Sequence, residues 1–240
     1  MKTSIILLIL LLTSQLCFSK DKLIAGLFNI VPYAYEENQK IIGITPEIIK
    51  NIQKESGVEI QMLFLPYKRM LKYLNSGKID FAIFFLSYYS ASFSDNLIPL
   101  YNLETIAIGK KGLKISTYHD LYKLRLATAL GVNYNTVIDK DKELLQIHYV
   151  KDYKNAIGML NKGHVDAIIA PKRILTFQLK KLGMQINDLG DPFLIITNTA
   201  WIQFSDKSSK KKYKKVLTKA AQNLLDKGVI LEIMNKYYSK

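Results

Sequence analysis

Two stretches of the chain have nearly the same pattern: LNSGKIDFAI at residues 74–83 and LNKGHVDAII at residues 160–169. Leucine, asparagine, glycine and aspartate occupy the same offsets in both, and the apolar positions agree. The pattern predicts a helix that ends at the glycine, a tight turn, and a buried strand whose first polar residue is the aspartate. Two copies so far apart favour two similar α/β lobes over a short-period solenoid. The alternative is that any helix–glycine–strand junction has this pattern.

Strand and helix patterns alternate around these stretches, which is typical of a mainly parallel sheet covered by helices. Apolar or alternating runs predict strands at 23–28, 58–65, 79–85, 124–130, 146–150, 165–170 and near 185–187. Helices are predicted from Thr45, as the N-cap, to Gly57, from Pro66 to Gly77, at 134–140 and 152–161, from Pro171, after Ser208 or Ser209, and at 230–237. The predicted fold class is therefore α/β.

The charge of the chain comes mostly from lysine. Among 240 residues there are 34 basic and 20 acidic side chains, a net charge of +14, and arginine occurs only at positions 69, 125 and 173. Base reading and phosphate clamping usually use arginine, so no nucleic-acid partner is expected. The lysines at 207–219 alternate with apolar positions and indicate a solvated helix face, with contact to an anionic membrane as the alternative.

Residues 1–19 have the pattern of a secretory signal peptide. Lys2 supplies the positive start, residues 5–12 are an unbroken apolar run, and Ser19 offers a small residue for cleavage. Lipidation of Cys17 is an alternative that the bulky Leu16 disfavours. The signal peptide predicts that the mature chain is exported to the periplasm. Because Cys17 is the only cysteine and precedes the predicted cleavage site, no disulfide is expected in the mature chain.

Familiar catalytic motifs do not occur in the sequence. It has no Gly-x-Ser-x-Gly elbow, no Walker loop and no dinucleotide glycine fingerprint, and its three histidines lack the spacing of metal ligands. Asp80 and Asp166 occupy matching junctions, which favours a structural role in the turn over acid/base catalysis. No metal and no cofactor are expected, and an exported two-lobed protein of this kind is predicted to capture a ligand.

The order of these segments resembles the bacterial extracellular solute-binding proteins of family 3, the polar amino-acid-binding components of ABC transporters. The resemblance rests on the segments at 32–35, 43–48, 66–69, 74–80, 99–101, 120–121, 163–167 and 228–237. It implies a periplasmic-binding-protein type II fold, with lobe 1 at 20–105 and 198–240 and lobe 2 at 106–197. Two hinge strands, around 105–110 and 193–199, would join the lobes.

The sequence departs from this family at two positions that the resemblance makes important. Family members typically hold an amino acid's α-carboxylate with an arginine after the third strand and its α-ammonium with an aspartate in lobe 2. Here the first region, 87–92, has no basic residue, and the second position falls on Ala170 or Pro171. A buried charge without a partner is costly, so a standard amino acid in the standard pose is not expected.

The candidate ligand-binding residues follow predicted strands or begin helices, where ligands bind in open α/β sheets. Tyr33 and Tyr67 match aromatic pocket positions of the family, and Arg69 is a candidate anchor for an anion. Phe85 could equally be a core residue, because strand residues alternate inward and outward. The other candidates are Tyr35, Ser87, Gly131, Asn133 and Lys172; Gly131 and Asn133 could begin a helix whose free N–H groups face an anion.

These observations predict a monomeric solute-binding protein that closes its lobes on a small polar, anionic or aromatic molecule and presents it to an ABC permease. One alternative is a dehydratase-like enzyme on the same scaffold, which would need an acid or base in the cleft, for which the tyrosines, Lys172 and Glu47 are available. Another is a component that presents its ligand to a membrane sensor, which sequence alone does not separate from transport.

Overall fold

The computed structural model describes residues 21–130 and 137–238. Within these residues one eight-stranded sheet has the order β4-β1-β5-β10-β6-β9-β7-β8, and β2 and β3 form a separate hairpin. The strands are β1 Leu23–Leu27, β2 Tyr35–Glu37, β3 Lys40–Ile42, β4 Ile60–Phe64, β5 Phe81–Phe85, β6 Ser94–Gly109, β7 Arg125–Ala129, β8 Gln146–Val150, β9 Ala167–Pro171 and β10 Phe193–Ser205.

Helices cover the sheet, as the alternation of patterns predicts. They are α1 Ile44–Ser56, α2 Tyr67–Ser76, α3 Tyr88–Ala91, α4 Val137–Lys140, α5 Tyr153–Lys162, α6 Lys172–Lys181, α7 Lys214–Asp226 and α8 Val229–Tyr238. In α1, Ile48, Ile49 and Ile52 form one face and are fully buried, because residues three and four apart lie on the same side of a helix. None of these helices is long and apolar enough to span a bilayer.

The two long strands β6 and β10 run antiparallel through the middle of the sheet. On one side, β5 pairs with residues 200–204 of β10 and continues to the parallel strands β1 and β4. At the opposite end of the ladder, β9 pairs with residues 105–109 of β6 and continues to the parallel strands β7 and β8. The predicted α/β architecture, two lobes joined by two strands, is therefore confirmed.

The repeated stretches form matching junctions. Helices α2 and α5 end at Gly77 and Gly163, which adopt the left-handed conformation at φ 75° and 74°. Glycine suits this conformation because it has no Cβ to clash with the backbone. Asp80 and Asp166 then accept hydrogen bonds from the backbone N–H groups of Ile24 (2.7 Å) and Arg125 (2.8 Å). Both aspartates therefore tie the turn to the neighbouring strand, which confirms the predicted structural role.

Two local predictions at the helix starts are wrong. Helix α1 begins at Ile44 with Gly43 as its N-cap, and Thr45 lies inside the first turn. The backbone N–H of Thr45 donates to the carbonyl of Tyr33 (2.8 Å), so the preceding loop replaces a side-chain cap. Ser208 does not cap α7, because that helix begins six residues later at Lys214. The Ser208 hydroxyl instead accepts from the backbone N–H of Lys210 at 3.0 Å and donates to Asp80 Oδ1 at 2.6 Å.

The strand predicted near 185–187 is also absent, and Ile186–Asp188 forms a 3₁₀ turn instead. The backbone N–H of Gln185 donates to Asp188 Oδ2 at 2.7 Å. Such local bonds from side chain to backbone compete with strand pairing, and this one satisfies the backbone without a neighbouring strand.

The two matching aspartates should differ in their contribution to stability. The Asp80 side chain is 4% exposed and also binds Lys210 and Ser208, whereas that of Asp166 is 32% exposed and pairs with Arg125. We expect Asp80→Ala to lower the free energy of unfolding by about 3 kcal/mol, because it leaves buried donors without a partner. Asp166→Ala should cost about 1 kcal/mol or less. Urea unfolding of both variants measures the difference.

The effect of Asp166→Ala should depend on pH. Hydrogen bonds from Arg125 hold the pKa of Asp166 below its usual range, so its contribution is present above the ordinary aspartate pKa and is lost as the pH falls through the lowered value. Equal costs for the two aspartate variants at neutral pH, or a cost for Asp166→Ala that grows in acid, would contradict this description of the junctions.

Candidate functional site

A small cavity lies where the carboxyl ends of β1 and β5 meet the middle of the β6–β10 ladder. Its volume is about 30 Å³, room for about two water molecules. We call it the aromatic cavity, and it is lined by Gly26, Leu27, Phe28, Ile30, Tyr33, Ala34, Thr45, Ile83, Phe84, Phe85, Tyr101, Leu103 and Ala200. This position, outside the carboxyl ends of parallel strands, is where open α/β sheets bind ligands.

Aromatic rings form much of the wall. Tyr33 and Tyr101 are stacked, with ring centroids 5.7 Å apart and an interplanar angle of 19°. Tyr67, at the first position of α2, packs against Phe28 at 4.8 Å and meets the edge of Phe84 at 6.5 Å. Burial raises the pKa of the Tyr67 hydroxyl, so this group stays neutral. The structure thus places Tyr33 and Phe85 in the wall and Tyr67 directly behind it.

The described residues that line the aromatic cavity include no charged side chain. The amino end of α1 points toward the same place, since Thr45 is one of the lining residues. Its first N–H groups are occupied, however, because Ile44 and Thr45 donate to the carbonyls of Pro32 (3.1 Å) and Tyr33 (2.8 Å). Pro46 has no N–H, so this helix start offers little to an anion.

A buried amide holds the carboxyl end of β5. Gln203 on β10 is fully buried, and its Nε2 donates to the carbonyls of Phe84 (3.1 Å) and Phe85 (3.0 Å). The Ser94 hydroxyl donates its single proton to the carbonyl of Ser90 at 2.7 Å and lies 3.3 Å from Gln203 Oε1. This network holds in place the end of β5, which carries the cavity residues Phe84 and Phe85. Its polar groups are hydrogen-bonded within the protein.

Ser87 has a structural contact at this edge. It is the N-cap of α3 and accepts from the backbone N–H of Ser90 at 3.0 Å. The Ser90 hydroxyl in turn donates to the carbonyl of Ser87. The region that should contain a basic anchor in the resembled family is therefore a closed network of serines.

Two other predicted site residues lie outside the aromatic cavity. Arg69 is exposed on α2, two positions after Tyr67, and has no carboxylate partner among residues 21–130 and 137–238. Tyr35 begins the β2–β3 hairpin, where burial and the charge of Glu37 raise its pKa.

The remaining predicted residues belong to the second lobe. Lys172, the first residue of α6, forms an ion pair with Glu104 of β6 at 3.2 Å. Both side chains are partly exposed, so solvent weakens this attraction. Gly131 and Asn133 lie outside the residues that the structure describes. Within the described residues no group of three or more histidine, cysteine, aspartate or glutamate side chains could hold a metal ion.

The structure adds residues that the sequence predictions missed: Phe28, Tyr101, Leu103, Glu104 and Gln203. The segment at 99–101 contributed to the family resemblance, and this could have indicated Tyr101. Glu104 and Gln203 had no such signal, because each matters through a partner distant in sequence, Lys172 or the end of β5.

Two lobes are joined by the antiparallel strands β6 and β10, and a cavity lies beside these strands. This arrangement is typical of the class of two-lobed ligand-binding proteins. The family of bacterial extracellular solute-binding proteins, family 3, matches residues 24–112, so the predicted resemblance is confirmed. The "Probable amino-acid-binding protein YxeM" of Bacillus subtilis is 25% identical over 223 residues, which are 87% of this chain and 80% of that protein.

Solved structures show the same fold. The arginine-, lysine-, histidine-binding protein ArtJ of Geobacillus stearothermophilus has a TM-score of 0.67 at 19% identity, over 92% of this chain and 96% of that one. A histidine kinase sensor domain with similarity to periplasmic binding proteins has a TM-score of 0.72 at 14% identity, over 90% and 95%. The chain therefore has the fold of two-lobed periplasmic binding proteins.

Replacing Gln203 should destabilise the wall of the aromatic cavity. Gln203→Leu removes the amide that donates hydrogen bonds to the Phe84 and Phe85 carbonyls, and both carbonyls then stay buried without this donor. We expect the free energy of unfolding in urea to fall by about 2–4 kcal/mol.

Gln222→Leu is the matched control, because Gln222 is exposed on α7 and bonds only to the nearby Asp226. It should change stability by about 0.5 kcal/mol or less. Equal effects of the two substitutions would contradict the role given to Gln203.

Proposed function

We propose that the chain is an exported solute-binding protein that captures a small ring-bearing molecule between its lobes and leaves it chemically unchanged. The observation that carries the proposal is the position of the aromatic cavity, beside the two strands that join the lobes. A ligand there contacts lobe 1 and the crossing strands together, so its binding can favour the closed arrangement.

The chemistry of the wall supports an uncharged ring as the part of the ligand that enters lobe 1. Aromatic side chains dominate, and the nearby polar groups of Gln203, Ser90 and Ser87 are already bonded to one another or to the backbone. An α-carboxylate or α-ammonium placed there would lose its hydration without gaining a charged partner. An anionic group, where the ligand has one, would remain outside the cavity, near Arg69 or Lys172.

The small volume supports a movement of the protein on binding. Room for about two water molecules cannot hold an aromatic ring, so the wall must open before it closes on the ligand. Tyr67 is well placed for this, because it is 40% exposed and begins its helix directly after Pro66. Tyr33 and Phe85 would then contact the ring from the side of β1 and β5.

The lobe boundaries proposed are 20–105 with 198–240 for lobe 1 and 106–197 for lobe 2. Their support is the strand register: β9 pairs with β6 from Thr105 onward, whereas β5 pairs with β10 from Ala200 onward. Between these pairings lie residues 102–104 of β6 and 197–199 of β10, which pair with each other and with neither group of parallel strands. They are the hinge that we propose, and on β6 it replaces the segment expected around 105–110, because residues 105–109 pair with β9.

The proposed setting is the periplasm, reached with a signal peptide at residues 1–19, which lie outside the described part of the chain. The proposed partner is the permease of an ABC importer, and the proposed form is a monomer. The name of the relative YxeM, a probable amino-acid-binding protein, supports a solute-binding protein of the amino-acid-binding type.

The geometry gives no support to the enzyme alternative. Of the groups that could act as the acid or base of such an enzyme, Lys172 pairs with Glu104 and Glu47 accepts hydrogen bonds from Lys236 (2.8 Å) and Tyr237 (3.2 Å) of α8. Glu47 is therefore held toward the carboxyl-terminal helix, whereas the aromatic cavity is lined by other residues.

A thermal unfolding screen tests the proposed ligand class. Aromatic acids, aromatic alcohols, other organic acids, standard amino acids and short peptides are each added to the purified mature protein. A cognate ring-bearing compound at about a hundredfold excess over its Kd should raise the Tm by about 5 °C or more. Tyr33→Ala and the milder Phe85→Leu should weaken binding at least about tenfold, because both side chains line the cavity.

Tyr149→Ala provides the control, since Tyr149 is an exposed aromatic residue on the edge strand β8 of the other lobe. It should leave the affinity unchanged. A strong Tm increase with an ordinary aliphatic amino acid, insensitive to Tyr33 and Phe85, would contradict the proposed ligand class.

A further inference from the structure

A lysine-rich surface lies at the end of lobe 1 opposite the aromatic cavity. Parallel strands β1 and β5 begin at this end, and the segment after β10 crosses it. Two contacts place this segment at the amino ends of the strands. The carbonyl of Lys207 lies directly over Gly77, and Lys210 Nζ donates to the carbonyl of Lys22 at 2.8 Å. We call it the basic pole, and its exposed lysines without a carboxylate partner among the described residues are Lys22, Lys78, Lys207, Lys211 and Lys215.

Most of the acidic residues at this pole have a lysine partner. Asp80 pairs with Lys210 at 3.0 Å, Asp21 pairs with Lys212 at 2.9 Å, and Asp95 pairs with Lys214. Two further carboxylates at this end, Glu59 and Asp206, are exposed and have no lysine partner among the described residues. The five unpaired lysines outnumber these two carboxylates, so a surplus of three positive charges remains.

We propose that the basic pole binds the anionic headgroups of a phospholipid membrane. The surplus charge complements such a surface, and the described chain begins at Asp21, whose carboxylate is bound within the pole. Because the pole and the aromatic cavity lie at opposite ends of β1 and β5, a membrane-bound molecule keeps its cavity accessible.

The composition of the pole favours lipid over nucleic acid. Every basic residue from 201 to 238 is lysine, and phosphate or base recognition in nucleic acids usually uses the arginine fork. Lysines near an anionic surface each contribute to binding through a long-range attraction that needs no shaped pocket. The inference does not depend on which molecule occupies the aromatic cavity.

Co-sedimentation of the mature chain with vesicles tests the proposal. The protein should bind phosphatidylcholine vesicles that contain about 30% phosphatidylglycerol in about 0.05 M salt, should bind little in about 0.3 M salt, and should not bind pure phosphatidylcholine. The variant with Lys207, Lys211 and Lys215 replaced by glutamate should bind at least about a hundredfold more weakly, since each lysine near the surface is worth about fivefold. Replacement by glutamine should give a smaller loss in the same direction.

The matched control replaces three exposed lysines of lobe 2, Lys151, Lys154 and Lys162, by glutamate, which changes the net charge by the same amount. It should bind vesicles within about threefold of the unchanged protein, since these lysines would lie farther than a Debye length from the membrane. Circular dichroism and urea unfolding verify that the variants are folded. An equal loss in pole and control variants, equal binding to neutral vesicles, or no binding at low salt would overturn the proposal. So would tighter binding to heparin than to the vesicles, lost with the same pole lysines.

Discussion

The antiparallel pairing of β6 with β10 is the constraint on which the rest of the molecule depends. It runs from Phe193 opposite Ala107 to Ser205 opposite Ser94, and each group of parallel strands attaches to a different end of it. Because extended strands resist stretching but can bend and twist, the lobe movement that we propose is a rotation of one lobe relative to the other about this ladder. The aromatic cavity lies against this ladder, and all of its lining residues belong to lobe 1 as proposed here.

The proposed ligand-binding site and the proposed membrane-binding surface are separate, because the neutral aromatic cavity and the exposed lysines of the basic pole lie at opposite ends of lobe 1. At the carboxyl ends of β1 and β5 the lining residues are neutral and mostly aromatic, and the nearby polar groups satisfy one another. At the amino ends of the same strands, Asp80 and its partners hold the turn together while lysines remain exposed. Apolar recognition at one end and long-range electrostatic attraction at the other do not compete, since they act on different surfaces.

The sequence predicted those parts of the fold that depend on local chemistry. The glycine at 77 or 163 and the aspartate three residues later define each junction within a few residues, and the structure has the same bonds at both places. The predictions failed where a distant backbone group supplied what a local side chain was expected to supply. The carbonyls of the loop at 32–33 cap α1 in place of Thr45, and Ser208 bonds to Asp80 in place of the start of α7. Local patterns do not contain that information.

The candidate site was predictable in part for the same reason. Tyr33, Tyr67 and Phe85 follow strands or begin a helix, and parallel strands bring such positions together. The contributions of Tyr101, Gln203 and Glu104 depend on the register of β6 against β10 and β9, which pairs residues that are far apart in the sequence. Hydrophobic periodicity specifies which face a strand residue occupies, but it does not specify the partner strand or its offset.

Small-angle X-ray scattering of the mature protein, without ligand and with the compound that gives the largest Tm increase, tests most directly whether ligand capture closes the lobes. The account predicts a smaller radius of gyration in the bound state, with no change when the Tyr33→Ala variant receives the same compound. Tight binding to the unchanged protein with a constant radius of gyration would contradict it.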